Sequence, residues 1–222
     1  MAGLVPAIHV FATHVARRRG CPGQAPGRRV EIESIMPGID ESKSFIPLRI
    51  AVLTVSDTRA LADDKSGATL IERIEKAGHS VAARAIVTDD VEKIRAQVKT
   101  WIADAAVDVV ISTGGTGFTG RDVTPEALEP LFEKRMDGFA TLFLIVSHAK
   151  IGTSAIQTRA TAGVAGATYI FCLPGSPGAC RDAWDEILVH QLDYRYRPCN
   201  FVEIMPRLDE HLRRAKARGA TL

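Results

Sequence analysis

Short, mostly apolar runs alternate along the chain with longer segments in which apolar residues recur every three or four positions. The apolar runs predict strands that are buried on both faces. They are RIAVLTV (49–55), VAARAIV (81–87), VDVVIST (107–113) and TYIFCLP (168–174). The periodic segments predict helices at 66–79, 90–105, 124–135, 138–149 and 178–192.

Helix boundaries follow from capping residues. We expect Ser66 to cap the first helix and Gly78 to end it. Thr124 is the expected N-cap of the third helix, with Pro125 in its first turn. The stretch 153–167 fits neither period and is interpreted as a short helix followed by a small hairpin.

Strand-helix alternation of this kind predicts an α/β fold, a three-layer α/β/α sandwich with a mostly parallel sheet. We place this domain at residues 45–205, between an extension at 1–44 and a charged tail at 206–222. The extension is expected to be disordered, and Met36 is an alternative start. Its arginines follow the apolar run instead of preceding it, which argues against a secretory signal.

Composition gives no indication of a nucleic-acid or membrane partner, a zinc site or a disulfide framework. The 222 residues are 46% hydrophobic and 24% charged, with a net charge of +2, so no strong field favours nucleic acid or a membrane as partner. No run approaches the roughly 18 apolar residues of a membrane span. The four cysteines show no CxxC spacing, which gives no sign of a zinc site or a disulfide framework and suits a cytoplasmic protein.

The loop STGGTGFTGRD (112–122) follows the third strand and is rich in glycine and threonine. Glycines let the backbone approach a ligand closely, and bare N–H groups beside hydroxyls suit a phosphate. The loop half-matches the dinucleotide fingerprint and the P-loop. The acid that binds the ribose in the dinucleotide fingerprint is missing. Arg121-Asp122 stands where the P-loop requires Lys-Ser/Thr. A turn that serves only backbone geometry is the alternative.

An acid beside a phosphate cradle repels its ligand unless a cation lies between them. Mg²⁺ is held in this way by one or two carboxylates and substrate phosphates, so Asp122 is a candidate ligand. Asp89 follows the second strand and can reach the same sheet edge. The alternative for each is a place at a helix N-terminus, where Asp90 competes with Asp89 for the capping role.

Two further loops follow strands that should end at the same edge. SDTRALADDKSG (56–67) supplies Ser56, Asp57 and Ser66, and PGSPGAC (174–180) supplies a second turn able to bind an anion, with Gly175 and Ser176. Capping or solvated roles are the alternative in the first loop, Asp64 included. A plain turn is the alternative in the second.

The segments LTVSDTRALADDKSG (53–67), TGGTGFTGRDVTPEAL (113–128) and TSAIQTRATAGVAGATYIFCLPGSPGACRDAW (153–184) together resemble the MoaB/MogA proteins of molybdenum-cofactor biosynthesis. The resemblance covers about residues 45–205, and the ending LDYRYRPCNF (192–201) is closer to the MoaB branch. Several separate motifs in the family order make it more specific than a lone glycine loop.

The resemblance implies a molybdopterin-binding domain fold, a homo-oligomer (trimer or hexamer) and molybdopterin adenylyltransferase activity. Molybdopterin and MgATP would give adenylyl-molybdopterin and pyrophosphate. Asp122 and Asp89 match the family's catalytic aspartates, tied to Mg²⁺, although Thr88 replaces the proline before Asp89. The predicted substrate-binding residues are Ser56, Asp57, Ser66, Thr113, Gly114, Gly115, Thr116, Gly117, Gly175 and Ser176.

Two other functions stay open on the same residues. A non-catalytic molybdopterin carrier or regulator would use the same pocket, but it needs no pair of acids. A nucleotide-binding domain of unrelated role, as in competence-damage proteins, is the third interpretation.

Overall fold

The computed structural model describes residues 37–217. Its strands are β1 (Gly38–Ile39), β2 (Arg49–Val55), β3 (Ser80–Val87), β4 (Val109–Thr113), β5 (Lys134–Arg135), β6 (Thr161–Ala165), β7 (Thr168–Leu173) and β8 (Tyr196–Arg197). Its α-helices are α1 (Lys65–Lys76), α2 (Val91–Ala103), α3 (Thr124–Leu128), α4 (Asp137–Ile151), α5 (Pro177–Ala183), α6 (Val189–Gln191), α7 (Phe201–Ile204) and α8 (Glu210–Ala217). A π-helical segment, Trp184–Leu188, joins α5 to α6, so the long predicted helix at 178–192 is one continuous helical run.

The main sheet has six strands in the order β3-β2-β4-β7-β6-β5. The pairs β2–β3, β2–β4 and β4–β7 are parallel, whereas β6 and β5 add antiparallel strands at one side. Strands β4 and β7 are buried along their whole length, as their apolar runs predict. The prediction of a mostly parallel sheet is confirmed.

Helices cover both faces of this sheet. The core on one face joins alternate strand residues such as Ile50 and Ile111 to α1, α4 and α5. The core on the other face joins the intervening residues, such as Leu53 and Val110, to α2 and α3. Three layers result, and the prediction of an α/β/α sandwich is confirmed.

The chain reverses direction across the sheet between β2 and β4. From β2 it passes through α1 to β3 on one side, and from β3 it passes through α2 to β4 on the other side of β2. The loops after β2 and β4 therefore diverge and leave a crevice at the carboxyl ends of the strands, which is where open α/β sheets bind ligands.

Two predicted helix caps are wrong. Asp64, not Ser66, caps α1, because its carboxylate accepts from the Gly67 N–H at 2.9 Å. The third helix begins after Val123 without a side-chain cap, since the Thr124 hydroxyl donates instead to the Gly114 carbonyl at 2.8 Å. That helix is also much shorter than predicted. It ends at Leu128 and gives way to a 3-10 turn at Glu129–Leu131 and to β5.

The stretch 153–167 folds in part as predicted: the short helical segment forms, but only one strand of the hairpin lies within it and the other is β7. A 3-10 segment, Gly152–Gln157, leads into the antiparallel hairpin of β6 and β7. Gly166 takes a positive φ of 59° in the turn of this hairpin.

The predicted extension and tail both contain ordered residues. In β1, Gly38 and Ile39 pair antiparallel with Arg197 and Tyr196 of β8. The boundary at residue 44 therefore separates β1 from the domain with which it pairs, and α8 forms within the predicted tail. The remainder of the extension, residues 1–36 with Met36, lies outside the described residues, as do the last five residues, 218–222.

Helix α4 is apolar over an unusual length. The continuous stretch Asp137–Gln157 has 21 residues and a mean hydropathy of 1.4, enough by length and composition alone to cross a membrane. Polar and charged residues such as Ser147, His148 and Lys150 interrupt this stretch, so it is not a continuous apolar run. Core helices pass the same test, and Phe139 and Phe143 of α4 do pack into the core, but only 22% of the apolar window is buried.

Candidate functional site

The loops after three parallel strands meet at one edge of the sheet. The Gly114 N–H, just past β4, donates to the Leu173 carbonyl at the end of β7 at 3.1 Å. Gly114 also lies against the last residue of β2, because a Cβ on Gly114 would collide with the Val55 carbonyl oxygen. Glycine is required there, since φ is 100° as well.

The glycine loop also lies against the loop after β7. A Cβ on Gly175 would lie 3.0 Å from the Gly114 Cα, so two backbones touch with no side chain between them. The Thr113 hydroxyl donates to the Pro174 carbonyl at 2.9 Å and links the same two loops.

The glycine loop leaves main-chain donors free. In the described residues, 37–217, no protein acceptor takes the N–H groups of Gly115 and Thr116. Gly115 has a φ of 62°, which turns the chain at this point, and Thr116 is buried. Adjacent N–H groups without partners in a turned loop are a suitable anion cradle.

Asp122 folds back onto the glycine loop. One carboxylate oxygen, Oδ2, accepts from the Thr119 N–H at 2.9 Å and from the Thr119 hydroxyl at 2.6 Å. These bonds, led by the hydroxyl and joined by the Gly117 N–H and the charge of Arg159, hold the pKa of Asp122 below its ordinary value. Asp122 is therefore ionised and held at the loop.

Asp89 reaches the same loop from the end of β3. A Cβ on Gly115 would lie 2.8 Å from Asp89 Oδ1, so this carboxylate lies directly beside the loop. Burial, and then the negative charge of Asp122, raise the pKa of Asp89. Asp90, not Asp89, caps α2 by accepting from the Lys93 N–H at 2.9 Å. The competition for the cap is thereby resolved, and Asp89 is left facing the site.

Asp89 and Asp122 bring two carboxylates to the same loop. A carboxylate whose pKa is raised by a second carboxylate would be relieved by a hard divalent cation, and Mg²⁺ takes oxygen ligands of this type. No group of three or more His, Cys, Asp or Glu in residues 37–217 could hold a metal ion by itself. The pair therefore fits a cation that is shared with substrate phosphates.

Asp57 links three of the loops. It forms an ion pair with Arg121 of the glycine loop and accepts from the Asp89 N–H at 3.2 Å. Its neighbour Ser56 donates its N–H to the Val87 carbonyl at 2.9 Å, and the Ser56 hydroxyl accepts from the Arg59 N–H at 3.3 Å. Both predicted residues thus lie at the mouth of the crevice.

Three other predicted residues belong to the wall of the site. Ser66 is fully buried, and its hydroxyl donates to the Gly175 carbonyl at 2.7 Å. Ser176 caps α5 by accepting from the Ala179 N–H at 3.1 Å. Thr113 is also fully buried, so these hydroxyls position the loops.

Two arginines lie near the site although no sequence pattern indicates that they belong to it. Arg59 donates to Ser66 Oγ at 3.2 Å and to the Gly175 carbonyl at 3.3 Å, which places a positive charge next to the second turn. Arg159 precedes β6 and donates to the carbonyls of Thr116 at 3.1 Å and Asp122 at 2.9 Å. Only the tertiary fold brings Arg159 to the glycine loop, so no local pattern could have identified it.

Comparison with known proteins identifies the family. Residues 51–194 match the family described as "Probable molybdopterin binding domain". Molybdenum cofactor biosynthesis protein B of Escherichia coli (strain K12) is 53% identical over 160 residues, which covers 72% of this chain and 94% of that protein. The chain belongs to the MoaB/MogA family of molybdenum cofactor biosynthesis proteins. The Bacillus subtilis (strain 168) protein of the same name is 41% identical over 162 residues, 72% of this chain and 95% of that protein.

Solved structures of the MoaB/MogA family share the fold. A crystal structure of molybdenum cofactor biosynthesis protein B covers 78% of this chain and 99% of its own, with 36% identity and a TM-score of 0.66. The tungsten cofactor synthesizing protein MoaB from Pyrococcus furiosus covers 73% of this chain and 98% of its own, with 31% identity and a TM-score of 0.62.

Proposed function

We propose that this MoaB/MogA protein binds molybdopterin at the glycine loop and adenylylates it with MgATP, releasing pyrophosphate. The observation that carries the proposal is the position of two carboxylates, Asp89 and Asp122, beside unpartnered N–H groups of Gly115 and Thr116. A receptacle for phosphate needs the N–H groups alone. An acid pair next to them is useful when a divalent cation and a second phosphate group must be held as well.

In the proposed reaction the terminal phosphate of molybdopterin attacks the α-phosphorus of ATP, and the bond to the β-phosphate breaks. The N–H groups of Gly115 and Thr116 would hold phosphate oxygens and orient the attacking group. Asp89 and Asp122 would hold Mg²⁺, which when bound neutralises phosphate charge. The work of the protein would then be positioning and electrostatic stabilisation, as in phosphoryl transfer generally.

Two arginines would complete the charge balance at the crevice. Arg121 has a side chain that is 73% exposed and forms an ion pair with Asp57, so it can turn toward an incoming phosphate at little cost. Arg59 is held by the Gly175 carbonyl next to the second turn. Their placement supports a ligand with more than one phosphate group.

The test is a pyrophosphate-release assay with purified protein, molybdopterin and MgATP. We expect release that depends on all three components. The Asp122→Asn variant should bind molybdopterin normally but lose about a thousandfold in rate, as expected for a residue that helps to hold the metal at the transition state. Near-wild-type turnover by this variant would contradict the catalytic assignment.

A carrier or regulator that binds molybdopterin without catalysis is the second candidate. It is favoured by the hydrogen bonds that tie Asp122 to Thr119 within its own loop and by the Arg121–Asp57 ion pair at the mouth of the crevice. Tight molybdopterin binding with no pyrophosphate at any MgATP concentration would support this candidate and reject the enzyme.

We also propose that the protein is a homo-oligomer, a trimer or hexamer, that buries the outer face of α4. This face and the 3-10 segment after it expose Leu144 (43%), Ile145 (61%) and Ile156 (80%) around an apolar groove, more than a monomer usually leaves to water. Ile145→Asp should lower the native mass measured by light scattering, whereas Leu61→Asp, an exposed site away from this face, should not. An unchanged mass for Ile145→Asp would contradict the proposal.

A further inference from the structure

Phe118 is an exposed aromatic residue in the middle of the glycine loop. Its relative exposure is 69%, the highest of any large hydrophobic residue among those described except Ile156. Ile156 lies in the 3-10 segment after α4 and lines an apolar groove with Leu144 and Ile145, but the sequence neighbours of Phe118 are polar or glycine: Gly117, Thr119 and Gly120. Phe118 is therefore an isolated aromatic residue in a polar and glycine-rich stretch of the chain.

The ring of Phe118 is supported from one side. The guanidinium carbon of Arg159 lies 5.5 Å from the ring centroid, a cation–π contact. Arg159 is itself fixed by its bonds to the carbonyls of Thr116 and Asp122 and by an ion pair with Glu126. The loop on both sides of Phe118 is thus tied to the group that supports its ring, while most of the ring remains open to solvent.

The ring is carried by the same loop as the anion cradle. Phe118 follows the unpartnered N–H groups of Gly115 and Thr116 by two to three residues in sequence, and Asp122 is four residues further on. An aromatic face on the loop that holds a phosphate is suited to a flat ring that is joined to that phosphate by a short linker. Stacking requires only a π-face on the ligand, so it accepts different planar heterocycles.

We propose that Phe118, supported by Arg159, is a stacking platform for the planar heteroaromatic ring of the phosphate-bearing ligand. The inference rests on the proposed function for its choice of ligand. Adenine in ATP and the pterin in molybdopterin share the required chemistry, and the experiment below distinguishes them.

The first measurement compares ligands with and without a ring. Calorimetry with MgATP and with magnesium tripolyphosphate should show that Phe118→Ala weakens ATP binding about tenfold and leaves tripolyphosphate binding unchanged. The same comparison between molybdopterin and inorganic phosphate tests the pterin. If Phe118→Ala loses affinity for only one of the two ring-bearing ligands, that ligand carries the ring that stacks. Phe118→Tyr, which keeps the ring, is the matched control and should bind as the wild type does.

The second measurement detects stacking directly. Both native tryptophans, Trp101 and Trp184, are buried, so Phe118→Trp adds one exposed fluorophore. Its emission should be quenched by the ring-bearing ligand that Phe118→Ala identifies and not by tripolyphosphate or phosphate. Because Phe118 is largely exposed, these variants should keep the wild-type unfolding midpoint.

Several outcomes would overturn the proposal. Unchanged affinity of Phe118→Ala for both ring-bearing ligands would do so, and so would equal weakening of ligands with and without a ring. A change in native mass without a change in affinity would assign Phe118 to a contact between copies and reject the platform. Because binding is measured without turnover, a failure of adenylylation would leave this result intact and would count only against the proposed function.

Discussion

Two aspartates near the same edge of the sheet have opposite surroundings. Asp64 has a buried carboxylate that accepts from the Thr54 hydroxyl at 2.7 Å, from the Gly67 N–H at 2.9 Å and from Arg84 at 2.9 Å. Asp89 is half-buried beside the glycine loop, and its strongest charged neighbour is another acid, Asp122. The protein supplies the Asp64 carboxylate with hydrogen bonds and a positive charge, whereas the charge of the Asp89 carboxylate is left uncompensated.

The pKa values of these two acids shift in opposite directions. Burial by itself raises the pKa of Asp64, but the bonds from Gly67, Thr54 and Arg84 outweigh it, and the net pKa is lowered. For Asp89, burial and the charge of Asp122 act in the same direction, and the pKa is raised. A fully buried carboxylate whose charge is balanced by protein donors and an arginine is structural, whereas an acid whose charge the fold leaves uncompensated is a candidate for binding a cation.

The largest expected effect is on the structural acid. Asp64→Asn should lower the free energy of unfolding by about 3 kcal/mol, the low end for a broken buried pair, because Arg84 is 26% exposed. Urea denaturation measures the loss. Asp63→Asn is the matched control, an exposed neighbour that should change stability little. A loss below that of the control would show that the Asp64 network is not stabilising.

The next largest effect is expected from magnesium, which should stabilise the protein through Asp89 and Asp122 but not through Asp64. With molybdopterin bound, Mg²⁺ at about ten times its dissociation constant should raise the free energy of unfolding of the wild type by about 1.4 kcal/mol more than molybdopterin alone does. Asp89→Asn and Asp122→Asn should lose this increment because the cation has lost a ligand, while Asp64→Asn should keep it. Sodium chloride of equal ionic strength is the control. An equal magnesium effect in all variants would place the cation elsewhere.

A smaller effect is expected from Arg159, which holds the loop of the second acid. Arg159→Lys keeps the charge but loses the planar fork that reaches the Thr116 and Asp122 carbonyls. Hydrogen exchange at residues 116–122 should become about tenfold faster, which corresponds to roughly 1.4 kcal/mol of local opening. Arg135→Lys, at a more exposed ion pair, is the control and should leave this loop unchanged. Unchanged exchange in Arg159→Lys would show that the arginine does not hold the loop.

The smallest effect is the dependence of stability on pH. Since the folded pKa of Asp89 is raised, its contribution falls as pH rises through the ordinary range near 4, so Asp89→Asn should be slightly more stable at neutral pH, by less than about 1 kcal/mol. The lowered pKa of Asp64 has the opposite sign, because its contribution is present above about pH 4 and is lost on acidification. Urea midpoints across this range test both signs. A lower neutral-pH stability in Asp89→Asn would reverse the assignment.

The sequence predicts well what depends on local pattern. Strands β2, β4 and β7 are recognised because burial on both faces leaves mostly apolar residues in them. Because those strands are parallel, their loops meet at one edge, and the predicted residues of all three loops lie together there. The aspartate pair was predicted for the same reason, with the family resemblance naming Asp89 and Asp122.

The sequence fails where a tertiary contact competes with a local preference. Ser66 is a good cap by type, but its hydroxyl is taken by the Gly175 carbonyl, and Asp64 caps the helix instead. Thr124 likewise gives its hydroxyl to Gly114. Arg159 lies 37 residues beyond Asp122, whose carbonyl it binds, and no pattern in the intervening sequence predicts this contact.

The touching backbones of Gly114 and Gly175 fix the spacing of the loops after β4 and β7. With 3.0 Å between the Gly114 Cα and the position of a Gly175 Cβ, any side chain at residue 175 would push the two loops apart. The loops carry the anion cradle on one side and the second turn on the other, so such a wedge would change the spacing of both at once. The spacing of the anion cradle and the second turn therefore depends on the absence of a side chain at residue 175.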